Sequence, residues 1–300
     1  MARRAAAPAP VGPTAEAAGA QGGAPIGAAV APQAGAAGAI VETERLQPGL
    51  LVLTLARPEA RNSLSKAMLS ALQAAIDGAA ADAGVRAVVI AGKGPAFSAG
   101  HDLRELTGHR SDPDGGRGFT ELLMRQCATF MQSILRCPKP VIAAVEGVAT
   151  AAGCQLVATC DLAVASETAR FATPGVNIGL FCSTPMVALS RNVPRKRAME
   201  MLLLGEMLSA REAAEYGLVN RVVPAGQALE AALALARTVA SKPPMTLAIG
   251  KEAFYRQLEM PLAEAYAYAA GVMVENMMHA ESKEGIGAFL EKRPPDWDKR

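Results

Sequence analysis

The sequence predicts an α/β body followed by an all-helical end, on three observations. Short β-branched apolar runs bounded by Gly or Pro recur from residue 40 onward and alternate with helical patterns. After about residue 229 only helical patterns remain. Residues 1–39 are almost entirely Ala, Gly and Pro, too poor in large apolar side chains to offset the entropy of ordering. Strand–helix alternation followed by helices is the mark of an α/β domain with appended helices. The expected organisation is a disordered tail over 1–39, an α/β core over 40–228 and a helical region over 229–300.

Each element has its own warrant. Residues 50–55 read as a short buried strand. Residues 65–82 read as a helix, because Met68, Leu72, Ile76 and Ala79 recur at helical spacing and Ser65 can cap its start. Residues 86–91 and 140–145 are β-branched apolar runs, hence strands, and 160–165 and 219–223 are shorter ones. Residues 118–136 read as an amphipathic helix stopped before Pro138. Helical patterns then cover 226–241, 243–256 (opened by Pro243-Pro244), 261–278 and 281–291.

Composition bounds the function. A hydrophobic fraction of 51% over 300 residues supports a sizeable core. A net charge of +2 and 4% aromatic residues leave neither an electrostatic footprint nor stacking platforms for nucleic acid. No uninterrupted apolar run reaches membrane-spanning length. The five cysteines form no Cys-x-x-Cys pair and the three histidines are scattered. This argues against a metal site or a disulfide framework and for a reducing compartment. A cytoplasmic location is expected. The alternative is the mitochondrial matrix, should Arg3-Arg4 and the tail act as a transit peptide, although a transit peptide is usually Ser- and Arg-rich. No G-x-G-x-x-G or phosphate-loop signature occurs, so no dinucleotide or ATP cofactor is expected.

The chemistry is concentrated in two small-residue turns, Ala96-Phe97-Ser98-Ala99-Gly100-His101-Asp102-Leu103 and Ala151-Ala152-Gly153-Cys154-Gln155. Each ends an apolar run and opens a helical segment. Helix starts leave backbone N–H groups without partners. Two such turns facing one another would aim two donors at one point, where charge developing on a carbonyl oxygen is stabilised.

These turns resemble those of the crotonase superfamily, the enoyl-CoA hydratase/isomerase family. The resemblance extends in order through residues 53–64, Pro138–Gly147, Cys160–Ala165, Phe171–Gly175, Ala213–Val219 and Ala288–Arg293, covering about residues 40 to 297. It implies a crotonase-like spiral of ββα units with a C-terminal helical region that packs subunits into a homotrimer or a dimer of trimers. It implies a hydratase-like lyase of fatty-acid or acyl-CoA metabolism. The substrate would be an acyl-CoA or enoyl-CoA, with CoA part of the substrate and no separate cofactor. The oxyanion donors would be the backbone N–H groups of His101 and Ala152, where the family usually has Gly in place of Ala152. Ser63, Ala99, His101, Asp102, Leu103, Arg104 and Ala152 match positions along the bound thioester, and Phe289 and Lys292 match residues that close over CoA, often from a neighbouring subunit. Read without the family, Arg104 is a solvated helix-start charge and Phe289 an ordinary packing residue.

Gln155 and Gly175 match the two positions where hydratases of this family carry glutamates. An amide orients water but accepts no proton at neutral pH, and glycine does neither. Losing general acid–base help costs about 10²–10⁴-fold per group, so the usual hydration is expected to be weak or absent. Glu146, Asp161, Thr150, Thr173, Asn177, Cys154, Cys182 and Ser183 lie nearby as possible substitutes. Asp161 reads as structural, Glu146 as a solvent-facing strand-end residue, and Cys154 and Cys160 as small hydrophobes. The His101 imidazole is a further acid–base candidate. The rival readings are another crotonase reaction, such as acyl-CoA decarboxylation or hydrolysis, and a non-catalytic acyl-CoA binder.

Overall fold

The computed structural model describes residues 38–297; the tail expected over 1–39 lies, but for its last two residues, outside them. The chain opens with β1 (Val41–Leu46) antiparallel to β2 (Leu50–Leu55), and helix α1 (Lys66–Ala81) follows. Three times over, a longer strand then turns at once into a three-residue strand and leaves it for a helix or a 3-10 turn. The first pass is β3 (Ala87–Gly92), β4 (Ala96–Ser98) and α2 (Leu103–Gly108), with α3 (Arg117–Arg136) running back. The second is β5 (Val141–Val145), β6 (Val148–Thr150) and α4 (Ala152–Thr159). The third is β7 (Leu162–Ser166), β8 (Arg170–Ala172) and a 3-10 turn at Pro174–Ile178. Next come α5 (Pro185–Asn192), α6 (Arg195–Leu204), β9 (Leu208–Ser209), α7 (Ala210–Glu215) and β10 (Arg221–Val223). Helices α8 (Ala228–Ala240), α9 (Pro244–Gln257), α10 (Leu262–Met278) and α11 (Ala280–Leu290) complete the chain. The repeated path is the expected crotonase-like spiral.

Two sheets result. The larger has the order β1-β2-β3-β5-β7-β10, parallel except for β1–β2; the smaller is β4-β6-β8-β9, parallel except for β8–β9. Helix α1 begins where the Ser65 hydroxyl accepts the Met68 N–H at 3.2 Å, and it buries Met68, Leu69, Leu72, Ile76 and Ala79 as its periodicity predicts. Phe97 of β4, Phe130 of α3 and Phe171 of β8 are fully buried in the same core. Burying one such ring contributes about 1.5–3 kcal/mol, so each short strand is held by its side chain as well as by its few ladder bonds.

Several elements escape the sequence pattern. Strand β1 (Val-Glu-Thr-Glu-Arg-Leu) is a half-exposed edge with three charges, the composition that blunts an open sheet edge. β4, β6 and β8 have three residues each, too few to show a period. The strand expected from residue 160 begins at Leu162, because the Asp161 carboxylate accepts the Val141 N–H at 2.7 Å. Helix α8 buries Ala232, Leu233, Ala236 and Ala240 against Val52, Val89, Ile142 and Val164 of the larger sheet, so the helices that stand clear of that sheet begin after it. α9 is tied down by one buried charge: Lys251 Nζ donates to Asp161 Oδ2 at 2.6 Å and to the carbonyls of Ile134 and Lys139 at 2.9 and 3.0 Å. Tyr255 adds its hydroxyl to Asp161 Oδ1 at 2.8 Å.

Candidate active site

The three short strands lie side by side in the order β4-β6-β8, and all run the same way. Their C-terminal ends are therefore adjacent: Ala99-Gly100-His101 after β4, Ala151-Ala152 after β6, and Thr173-Pro174-Gly175 after β8. The Ala151 N–H donates to the Ala172 carbonyl at 2.9 Å, and the Thr150 hydroxyl to the Ala99 carbonyl at 3.2 Å. Open α/β sheets take ligands outside the carboxyl ends of their strands.

The first two ends touch. Gly100 has φ +90°, and a Cβ there would stand 2.8 Å from the Ala151 Cβ and 3.1 Å from the Ala152 nitrogen. Gly153 lets α4 in just as closely, since its Cβ would fall 2.1 Å from the Ser98 carbonyl oxygen. Ala152 is the first residue of α4, so its N–H is among the donors a helix leaves without an intrahelical partner. Ala151 has φ 50° and ψ −120°, a region L-residues seldom occupy, at a cost of about 1–3 kcal/mol. The conformational burden of this turn thus falls on Ala151 and leaves Ala152 in regular helix.

The loop after β2 props the first turn. Asn62 is fully buried; its Nδ2 donates to the carbonyls of Lys93 and Ala96 at 2.9 and 2.7 Å. The Leu64 N–H donates to the Gly100 carbonyl at 2.7 Å, and the Leu64 carbonyl lies 3.3 Å from His101 Nδ1. His101 Nε2 is buried without a partner. Burial pulls the imidazole pKa below its ordinary value, against the raising effects of the Leu64 hydrogen bond and the Glu105 carboxylate. Asp102 caps α2 through the Arg104 and Glu105 N–H groups, accepts the Ser63 hydroxyl at 3.1 Å and has Arg57 at 3.6 Å. Ser63, Ala99, His101 and Asp102 are thus brought together, with Leu103 and Arg104 exposed on the first turn of α2. Phe289 and Lys292 stay with the C-terminal helices: Phe289 is 81% exposed, and no hydrogen bond or ion pair joins either residue to the strand ends among the described residues.

The third end is closed. A Cβ on Gly175 would stand 2.7 Å from the Leu180 carbonyl oxygen and 2.9 Å from Cys182 Sγ. The Leu180 N–H donates back to the Gly175 carbonyl at 2.9 Å. Gln155 is buried, and it also lines a cavity of about 650 Å³ with Met131, Leu135, Ala158, Val187 and Phe254. Four buried side-chain polar atoms lack partners among the described residues: His101 Nε2, Gln155 Oε1, Thr173 Oγ1 and, away in α1, Gln73 Oε1. His101 and Thr173 sit on the first and third strand ends, and Gln155 lies in α4, which starts from the second. Buried polar groups are nearly always satisfied, so each of these orphaned atoms is an exception.

The enoyl-CoA hydratase/isomerase sequence profile matches residues 45–300. The chain belongs to the enoyl-CoA hydratase/isomerase family. Family members include the rat enoyl-CoA hydratase domain-containing protein 3, mitochondrial, which is 47% identical over 253 residues, 84% of this chain and 83% of the relative. The crystal structure of an enoyl-CoA hydratase from Mycobacterium smegmatis superposes with a TM-score of 0.82 at 52% identity, covering 86% of this chain and 98% of that one. The human enoyl-CoA hydratase domain-containing protein 3 gives a TM-score of 0.81 at 46% identity, over 86% and 99%.

Within this family frame the remaining candidate substitutes have structural duties. Asp161 holds Lys251 and Tyr255, as described. Glu146 is not free in solvent: its Oε1 accepts the Ala228 N–H at 2.9 Å and so caps α8. Asn177 Nδ2 donates to the Gly205 carbonyl at 3.4 Å, and the Ser183 hydroxyl to the Phe181 carbonyl at 3.3 Å. Burial pushes the Cys154 thiol up to about 12 and raises Cys182 and Cys160 as well, so none is a ready thiolate. The Leu64 carbonyl beside His101 and the Leu180–Cys182 packing under Gly175 had no signal in the sequence, because both are contacts between distant segments.

Proposed function

We propose that this chain binds an acyl-CoA or enoyl-CoA thioester with its carbonyl oxygen between the backbone N–H groups of His101 and Ala152, and stabilises the enolate that forms from it. The observation that carries this reading is the contact of the two strand ends, packed so closely that a Cβ on Gly100 would stand 3.1 Å from the Ala152 nitrogen. One preorganised donor of this kind contributes about 10²–10³-fold to an acyl-transfer rate.

The relatives named above carry enoyl-CoA hydratase names, which supports acyl-CoA chemistry of that general type. Gln155 and Gly175 argue against ordinary water addition, since neither provides a carboxylate and the Gly175 side-chain space is filled by Leu180 and Cys182. Enolate chemistry that needs no activated water, decarboxylation above all, suits this site better than hydration does. The exposed apolar residues of α10 and α11 support the homotrimer or dimer of trimers. The rat relative's name supports the mitochondrial alternative over the cytoplasmic expectation.

The test is vibrational. Butyryl-CoA carrying ¹³C at the thioester carbonyl is bound to the protein, and its C=O stretch is read against free ligand. A shift to lower frequency is expected, with S-butyl-CoA, which lacks the carbonyl, binding more weakly. An unshifted carbonyl on a bound thioester overturns the proposed oxyanion site.

A further inference from the structure

We infer that the imidazole of His101 is the proton carrier of this site, taking a proton from the α-carbon of the bound thioester at Nε2; the inference rests on the thioester placement proposed above. Four observations converge on it. The ring is held at Nδ1, 3.3 Å from the Leu64 carbonyl. A carbonyl only accepts, so Nδ1 carries the hydrogen and Nε2 presents a lone pair. That lone pair is buried and unpartnered among the described residues. The residue that bears this ring is also the one whose backbone N–H is assigned to the carbonyl oxygen. Finally, the other titratable groups nearby are engaged or inert: Asp102 by Ser63, Arg57 and the start of α2, Glu105 by the Lys66 N–H at 2.9 Å, and Cys154 and Cys182 by burial.

The step balances without a further reactant. The α-C–H bond breaks and its proton goes to Nε2. The bonding pair becomes the carbon–carbon π bond of the enolate, and the carbonyl π pair moves onto the oxygen between the two N–H donors. The imidazolium exchanges its proton with solvent and returns one to the carbon. Burial keeps the resting ring neutral, with Glu105 of α2 the one charged group among the described residues that bears on it in the opposite sense.

Proton exchange reads this directly. In D₂O the wild-type protein is expected to introduce deuterium at the α-carbon of butyryl-CoA, followed by mass spectrometry. H101N keeps the backbone N–H and supplies an amide to the Leu64 carbonyl but has no Nε2. It is expected to bind butyryl-CoA with the same carbonyl shift and to exchange about 10²–10⁴-fold more slowly. H101A is expected to be equally slow and to recover part of its rate with added imidazole, a response that a packing role does not give. The wild-type rate is expected to rise with pH and level off below the ordinary histidine range. H101N exchanging at the wild-type rate overturns the inference, as does a pH profile that climbs without levelling. A wild-type protein that binds and shifts the carbonyl without exchange overturns it alone; one that binds no thioester overturns the site as well.

Discussion

Helices α4 and α10 put one chain to opposite uses. All eight residues of α4 are buried, it carries no charge, and no side chain caps its start. Among the seventeen residues of α10 only Ala265 is buried, while Leu262 and Tyr266 are 74% and 73% exposed. The first helix is packed from every side, and its first N–H is the donor assigned above to the proposed oxyanion site. The second keeps its apolar residues on the outside, where a patch of this kind marks a contact surface. Position is enforced around the proposed thioester site by crowding, whereas α10 leaves its apolar residues without cover among the described residues.

The largest expected break in this contrast is Gly153→Ala. Its Cβ would meet the Ser98 carbonyl at 2.1 Å; with backbone on both sides the loss exceeds about 4 kcal/mol, read as an absent cooperative transition in urea. Next is Asp161→Ala, which strands the Lys251 ammonium under α9 and costs about 3–5 kcal/mol in the urea midpoint. Lys251→Met together with Asp161→Leu removes both charges and is expected to recover most of that loss. Gln155→Leu removes an orphaned buried oxygen and is expected to raise stability by about 1 kcal/mol, so a destabilised variant would show that the amide has a partner. Smaller still, Ala151→Gly relieves the strained turn within about 1 kcal/mol. On α10, Tyr266→Ser with Met273→Ser is expected to leave the circular dichroism unchanged and to lower the mass found by light scattering; an unchanged mass removes this face from assembly.

The readable parts of the fold were those with a period. Strand β2 and the helices α1 and α3 follow directly from Leu50–Leu55, from Met68, Leu72 and Ile76, and from the run before Pro138. The smaller sheet was invisible because three-residue strands have no period, and they hold place through Phe97 and Phe171 and through neighbours about fifty and twenty residues apart. At the site, the Gly100 and Gly153 turns were legible from their small residues. The strain on Ala151, the ring tether of His101 and the cap that Glu146 places on α8 are matters of tertiary contact, and a linear sequence carries no trace of them.

The closure beneath Gly175 imposes an order on any change at that position. A carboxylate there has no room until the backbone around Leu180 and the thiol of Cys182 have moved aside. A glutamate introduced at 175 before that segment is reshaped would meet the Leu180 carbonyl and the Cys182 thiol. On the proposed reading, water addition needs a carboxylate at 155 as well, and at 175 the alteration that touches no chemistry must come first.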